Sequence, residues 1–162
     1  MPETTDRPES LTLDQEHLPN LATWLPLLRE SLARQSRFHW PLRGVSMQPT
    51  LPADCEITIV PLPDHLPLGS LIVFAGRDSA LVAHRLVHRT ARHLVAQGDA
   101  RQQPDPWLDP VQVLGLVSAA TVDSRRVWPS RIEALLKWFW VGRAAALWLL
   151  RRVRGRVYRQ VG

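Results

Sequence analysis

Cysteine is nearly absent: Cys55 stands alone, so no internal disulfide can close. A single cysteine beside strand-forming residues is expected as a small buried hydrophobe. Lysine is equally scarce. Of 20 basic residues only Lys137 is lysine, which leaves 19 arginines against 15 acidic residues. Arginine does not release its proton in use, so few bases remain for any hydroxyl nucleophile. Long apolar runs are missing too. The uninterrupted stretch from Ala144 to Leu150 is seven residues, whereas a bilayer-spanning helix needs about 20. The first twenty residues are acidic and polar and lack the basic start and apolar run of a secretory signal peptide. No internal repeat is visible. The formal charge of +5 comes with no recognised DNA-binding motif and no interleaved aromatic platform, which disfavours nucleic acid as a partner.

What is present suits one turn-rich domain. The chain has 162 residues, 45% apolar content and 14 prolines, enough for a single core and short for two. Residues 1 to about 18 read as a polar arm. From Leu18 to about Ser36, Leu21, Trp24, Leu25, Leu28 and Leu32 have helical spacing, with Pro26 as a bend or a start. Arg29, Glu30, Arg34 and Arg37 are expected on the wetter side. Five short β-branched runs follow, at 56–60, 71–74, 80–89, 93–96 and 113–122, separated by Pro and Gly turns. The expectation is a mainly β fold with an antiparallel core. Its divisions are an arm and helix over 1–40, a β domain over 41–123 and a C-terminal helix over 128–162.

That last helix has two readings. Ser130 and Glu133 have capping-box spacing. At about 100° per residue, Glu133, Lys137, Arg143, Arg151 and Arg154 fall within an arc of about 120°. The rest is apolar and holds Trp138 and Trp148, and Arg151, Arg152, Arg154, Arg156 and Arg159 follow. Such a helix lies in an anionic membrane interface or docks on the protein's own core. The location is accordingly membrane-associated or cytoplasmic.

One segment carries chemistry. Gly44-Val45-Ser46-Met47-Gln48-Pro49-Thr50 places a serine in a Gly- and Pro-bounded turn. A serine hydroxyl needs a base within hydrogen-bond reach. Val82-Ala83-His84-Arg85-Leu86-Val87 offers an imidazole, which accepts and releases a proton near neutral pH. On one strand His84 and His88 stand about 13 Å apart, too far to grip a single metal. His65 and His93 read as surface residues. Gly98-Asp99-Ala100-Arg101-Gln102-Gln103-Pro104-Asp105 supplies carboxylates that can orient the imidazole. Asp99, Asp105 and, more weakly, Asp109 are candidates.

These boxes resemble the signal peptidase I family, in its serine–histidine branch, over roughly residues 40 to 120. The nucleophile box matches Gly-x-Ser-Met-x-Pro-Thr at five fixed positions in seven. The position filled by lysine in many bacterial relatives and in LexA-type self-cleaving repressors is His84 here, as in the His-Arg-Val box. Leu71-Ile72-Val73-Phe74 and Leu114-Gly115-Leu116-Val117 resemble the strands that border the cleft. The resemblance implies a LexA/signal peptidase-like β core and a serine endopeptidase acting on signal or leader peptides in extended conformation, with no metal or cofactor. It implies Ser46 as nucleophile, His84 as base, Asp105 as the orienting acid and Asp99 as a turn carboxylate. The Ser46 N–H is one expected oxyanion donor; the second is left open. Three departures stand out. Gly44 replaces a serine that supplies a hydroxyl in many relatives, Ser70 replaces an aspartate, and the paired asparagines after Asp99 are lost. No N-terminal anchor is evident. The altered boxes leave a second reading, an inactive peptide-binding or membrane-docking module.

Overall fold

The computed structural model describes residues 21–76, 80–129 and 133–160, with the side chains of 21–24, 134 and 151–160 left aside. The expected polar arm and Ser130 of the capping box lie outside the described residues. The architecture is mainly β: a curled antiparallel sheet with a helix at each end. Helix α1 (Leu21–Gln35) leads into β1 (Phe38–Leu42), β2 (Cys55–Val60), β3 (Leu71–Ala75), β4 (Leu81–Arg89), β5 (Leu94–Gln97), β6 (Val113–Val122) and β7 (Arg125–Trp128), and α2 (Glu133–Gln160) ends the chain.

The sheet order is β1-β2-β6-β3-β4-β5, with β7 paired to β6. The five expected strands are all present. β1 adds an edge strand beside β2, and β7 pairs with the end of β6. Neither shows clean alternation: β1 contains Pro41, and β7 begins with two arginines. β6 is the spine. One edge pairs with β2, and the other pairs first with β3 at Val113–Leu116 and then with β7 at Ala120–Val122. Gly115 permits this crowding, because a Cβ there would sit 2.5 Å from the Val60 carbonyl oxygen and 3.0 Å from Leu32 of α1.

Successive β3 residues feed two cores, as the period of two requires. Leu71 and Val73 join Leu25, Leu32, Ile57 and Ile59, so α1 covers that face. Ile72 and Phe74 join Leu86, Leu94, Leu108 and Val113 on the other. Pro26 sits inside α1. Arg29 departs from the expected wet side: its guanidinium donates to the carbonyls of Pro110, Val111 and Val113, tying α1 to the 3-10 turn Pro110–Gln112. Cys55 is buried in the first core, and burial pushes its thiol pKa up.

α2 is oriented against ordinary amphipathic logic. Its charged side faces the domain. Glu133 pairs with Arg85, the Lys137 stem packs beside Gly69, and Arg143 donates to the carbonyls of Asp99 and Arg101. No helix of the described residues is long and apolar enough to cross a membrane.

Candidate active site

Ser46 lies in the turn between β1 and β2. Gly44 adopts φ +95°, a conformation costly for residues with a side chain. Met47 and Leu51, on either side of Pro49, are buried in the first core and pin the turn. The Leu51 N–H donates to the Met47 carbonyl at 2.9 Å. Ser46 itself stays half-buried on the cleft wall.

β4 supplies His84, which faces the second core and meets the Phe74 ring edge-on at 6.0 Å between centroids. Packing holds the imidazole in place, and two hydrogen bonds fix its roles. His84 Nε2 is 3.0 Å from Ser46 Oγ, and His84 Nδ1 is 2.6 Å from Asp105 Oδ2. An ionised carboxylate only accepts, so Nδ1 carries the hydrogen and Nε2 presents its lone pair to the serine hydroxyl. Residues 38 and 21 positions apart in the chain thereby form one hydrogen-bonded series. Asp105 is held from behind, since its N–H donates to the Ala96 carbonyl of β5 at 2.8 Å.

The other candidate acids are engaged elsewhere. Asp99 is buried and accepts from Arg85 through both oxygens, at 2.9 and 2.8 Å, and from the Thr50 hydroxyl. Arg85 is fully buried and also reaches the Gly69 carbonyl and Glu133. Burial alone would lower the guanidinium pKa; the bonds and charge of Asp99, then of Glu133, outweigh it and raise it. Asp109 caps the 3-10 turn by accepting from the Val111 N–H. His88 lies past a register shift in β4, where it is exposed and edges the Trp107 ring. His93 edges the same ring, and His65 is exposed beside Arg89. Lys137 packs by Gly69, and the group that reaches Ser46 is His84.

Two contacts lie beyond what the motifs specify. The Ala100 N–H donates to the Ser46 carbonyl at 2.9 Å. Gly98 lets this happen: a Cβ there would come 2.6 Å from the Ser46 carbonyl oxygen and 3.0 Å from His84 Nε2. Glycine before an aspartate ordinarily signals a turn, which is why its packing role escapes sequence reading. Among the described residues no acceptor is seen for the Ser46 N–H.

The cleft above these groups has a volume of about 880 Å³ and is walled by Arg43–Ser46, Phe74, Leu81–His84 and Asp105–Trp107. One wall is an open strand edge. Leu81–His84 pair with β3 on one side, while β5 reaches only to Arg85 on the other. Among the described residues no strand pairs with this outer edge, and an unpaired edge can take an added strand. The arrangement joins a serine hydroxyl, an imidazole and a carboxylate in one hydrogen-bonded series on the wall of a groove. Comparison with protein-family models and with curated proteins finds no match.

Proposed function

We propose that this protein is a serine endopeptidase resembling signal peptidase I, which cleaves signal or leader peptides by a Ser46–His84–Asp105 mechanism. The observation that carries the reading is the continuous bond series from Ser46 Oγ through the His84 ring to Asp105, on the wall of a groove with an open strand edge.

In the reaction, the peptide lies against Leu81–Ala83 as an extra strand. Ser46 Oγ bonds to the scissile carbonyl carbon as its proton passes to His84 Nε2. Asp105 faces the imidazolium that results, and the Ser46 N–H meets the oxyanion. Breakage of the C–N bond transfers the proton from His84 to the departing amine. Water, deprotonated by His84, then hydrolyses the acyl-serine. A dedicated peptide precursor is the substrate favoured.

The test is cleavage of leader-bearing peptides by purified protein, read by mass spectrometry. Ser46→Ala is expected to lower turnover by about 10⁴-fold or more. Wild-type turnover by Ser46→Ala would refute the nucleophile, whereas no turnover by the unmodified protein would leave the inactive peptide-binding module as the reading.

A further inference from the structure

We propose that the outward face of α2 is a docking surface for anionic phospholipid bilayers. The proposal stands whether or not Ser46 is a nucleophile.

A surface helix ordinarily buries its apolar stripe and wets its charges. α2 reverses this. Its charged side is engaged by Arg85, Gly69 and the carbonyls of Asp99 and Arg101, with Ala144 buried among them. The opposite side presents Leu135 at 75% exposure, Trp138 at 60% and Phe139 at 61%, with Leu149 and Leu150 also exposed. At about 100° per residue these five fall within about 120°, on one line with Gly142 and Ala146, and no charge interrupts the stripe. A continuous apolar surface of this kind marks a contact with something apolar.

The neighbouring sequence selects the occupant. Residues 151–160, Arg-Arg-Val-Arg-Gly-Arg-Val-Tyr-Arg-Gln, carry five arginines and no acid. An apolar stripe followed in sequence by a run of arginines complements acyl chains beneath anionic headgroups. A protein groove able to oppose five arginines would need a matching acidic lining as well as an apolar floor. Spanning is not available to α2, so the helix lies along the interface. Tryptophan, with its apolar body and N–H, suits that depth. Because Arg143 holds the carbonyls on either side of Ala100, whose N–H meets Ser46, and Glu133 holds Arg85 next to His84, docking holds the cleft at a fixed height near the headgroups.

The test uses the full chain and vesicles of phosphatidylcholine with about 30% phosphatidylglycerol, against phosphatidylcholine alone. Co-flotation with the anionic vesicles is expected, with partitioning about tenfold weaker on the neutral ones. Tryptophan emission should shift to the blue and be quenched by brominated acyl chains. Trp138→Glu with Phe139→Glu should abolish co-flotation, with the far-UV circular dichroism unchanged. Arginine-to-Gln changes at 151, 152 and 154 should each weaken binding about fivefold at low salt. Failure to float, floating that survives the Trp138 and Phe139 changes, or floating without acyl-chain quenching would each overturn the proposal. So would a dimer in solution that Trp138→Glu dissolves, because a second copy would then cover the stripe. If the double variant does not fold, acyl-chain quenching in the unmodified protein decides the matter.

Discussion

Asp99 turns both carboxylate oxygens to Arg85, at 2.9 and 2.8 Å, while Asp105 takes the His84 ring. Six residues separate two aspartates with opposite duties. One neutralises a buried cation, and the other orients a base.

Substitution should separate these duties. Asp99→Asn leaves the buried Arg85 charge half compensated and is expected to lower unfolding stability by about 3 kcal/mol, read from urea denaturation. Asp105→Asn should leave that midpoint within about 0.5 kcal/mol, because the residue is partly solvated. Its turnover should nevertheless fall by about 10² to 10⁴, through loss of the tautomer that presents Nε2. Equal stability losses in the two variants would contradict the division.

The two β4 histidines make a second contrast. His84→Ala should abolish peptide cleavage. His88→Ala, at an exposed site by Trp107, should retain turnover within about twofold, since substitutions away from buried contacts cost little. Comparable losses in both would remove His84 as the specific base.

Gly98 is the third test. Gly98→Ala puts a methyl within 2.6 Å of the Ser46 carbonyl oxygen, so the Ser46 turn and the His84 ring must separate. A displacement of about 1 Å can cost about 10²-fold in turnover. The expected pattern is a lower kcat with little change in KM, measured on a leader peptide. Full activity in Gly98→Ala would mean that the close approach is not required.

Cys55 provides a pH signature. Its thiol pKa is raised by burial, so the folded state keeps a proton that the unfolded chain releases. This contribution is complete below the unfolded thiol value and is lost as pH rises through the folded one. Stability should therefore decline above about pH 8.5, and less steeply in Cys55→Ala. Alkylation of Cys55 should follow unfolding, measured by iodoacetamide labelling across a urea series.

Much of the β architecture was legible locally. Runs such as Glu56–Val60 and Leu71–Phe74 alternate or pack as strands, and their Pro and Gly boundaries are read directly from the chain. Ser46 and His84 were legible as candidates through the resemblance of their sequence boxes, and the near absence of lysine is consistent with an imidazole in the base position. β1 and β7 were not, since Pro41 and the Arg125–Arg126 pair mask the strand pattern that long-range pairing with β2 and β6 imposes.

The chain's own residues determined where strands and helices form and which side chains bear nucleophilic or basic chemistry, because turn geometry and side-chain periodicity act over a few neighbours. The choice of Asp105 over Asp99 was implied by the resemblance, and the fold places Asp105 on His84; tertiary structure alone decided that Gly98 is needed for backbone approach to Ser46 and that α2 turns its charges inward. Those outcomes depend on partners 21 (Asp105 to His84) to 52 (Gly98 to Ser46) residues away along the chain. The energy of a buried ion pair or an exposed tryptophan is set by which surface lies opposite, and no local pattern encodes that.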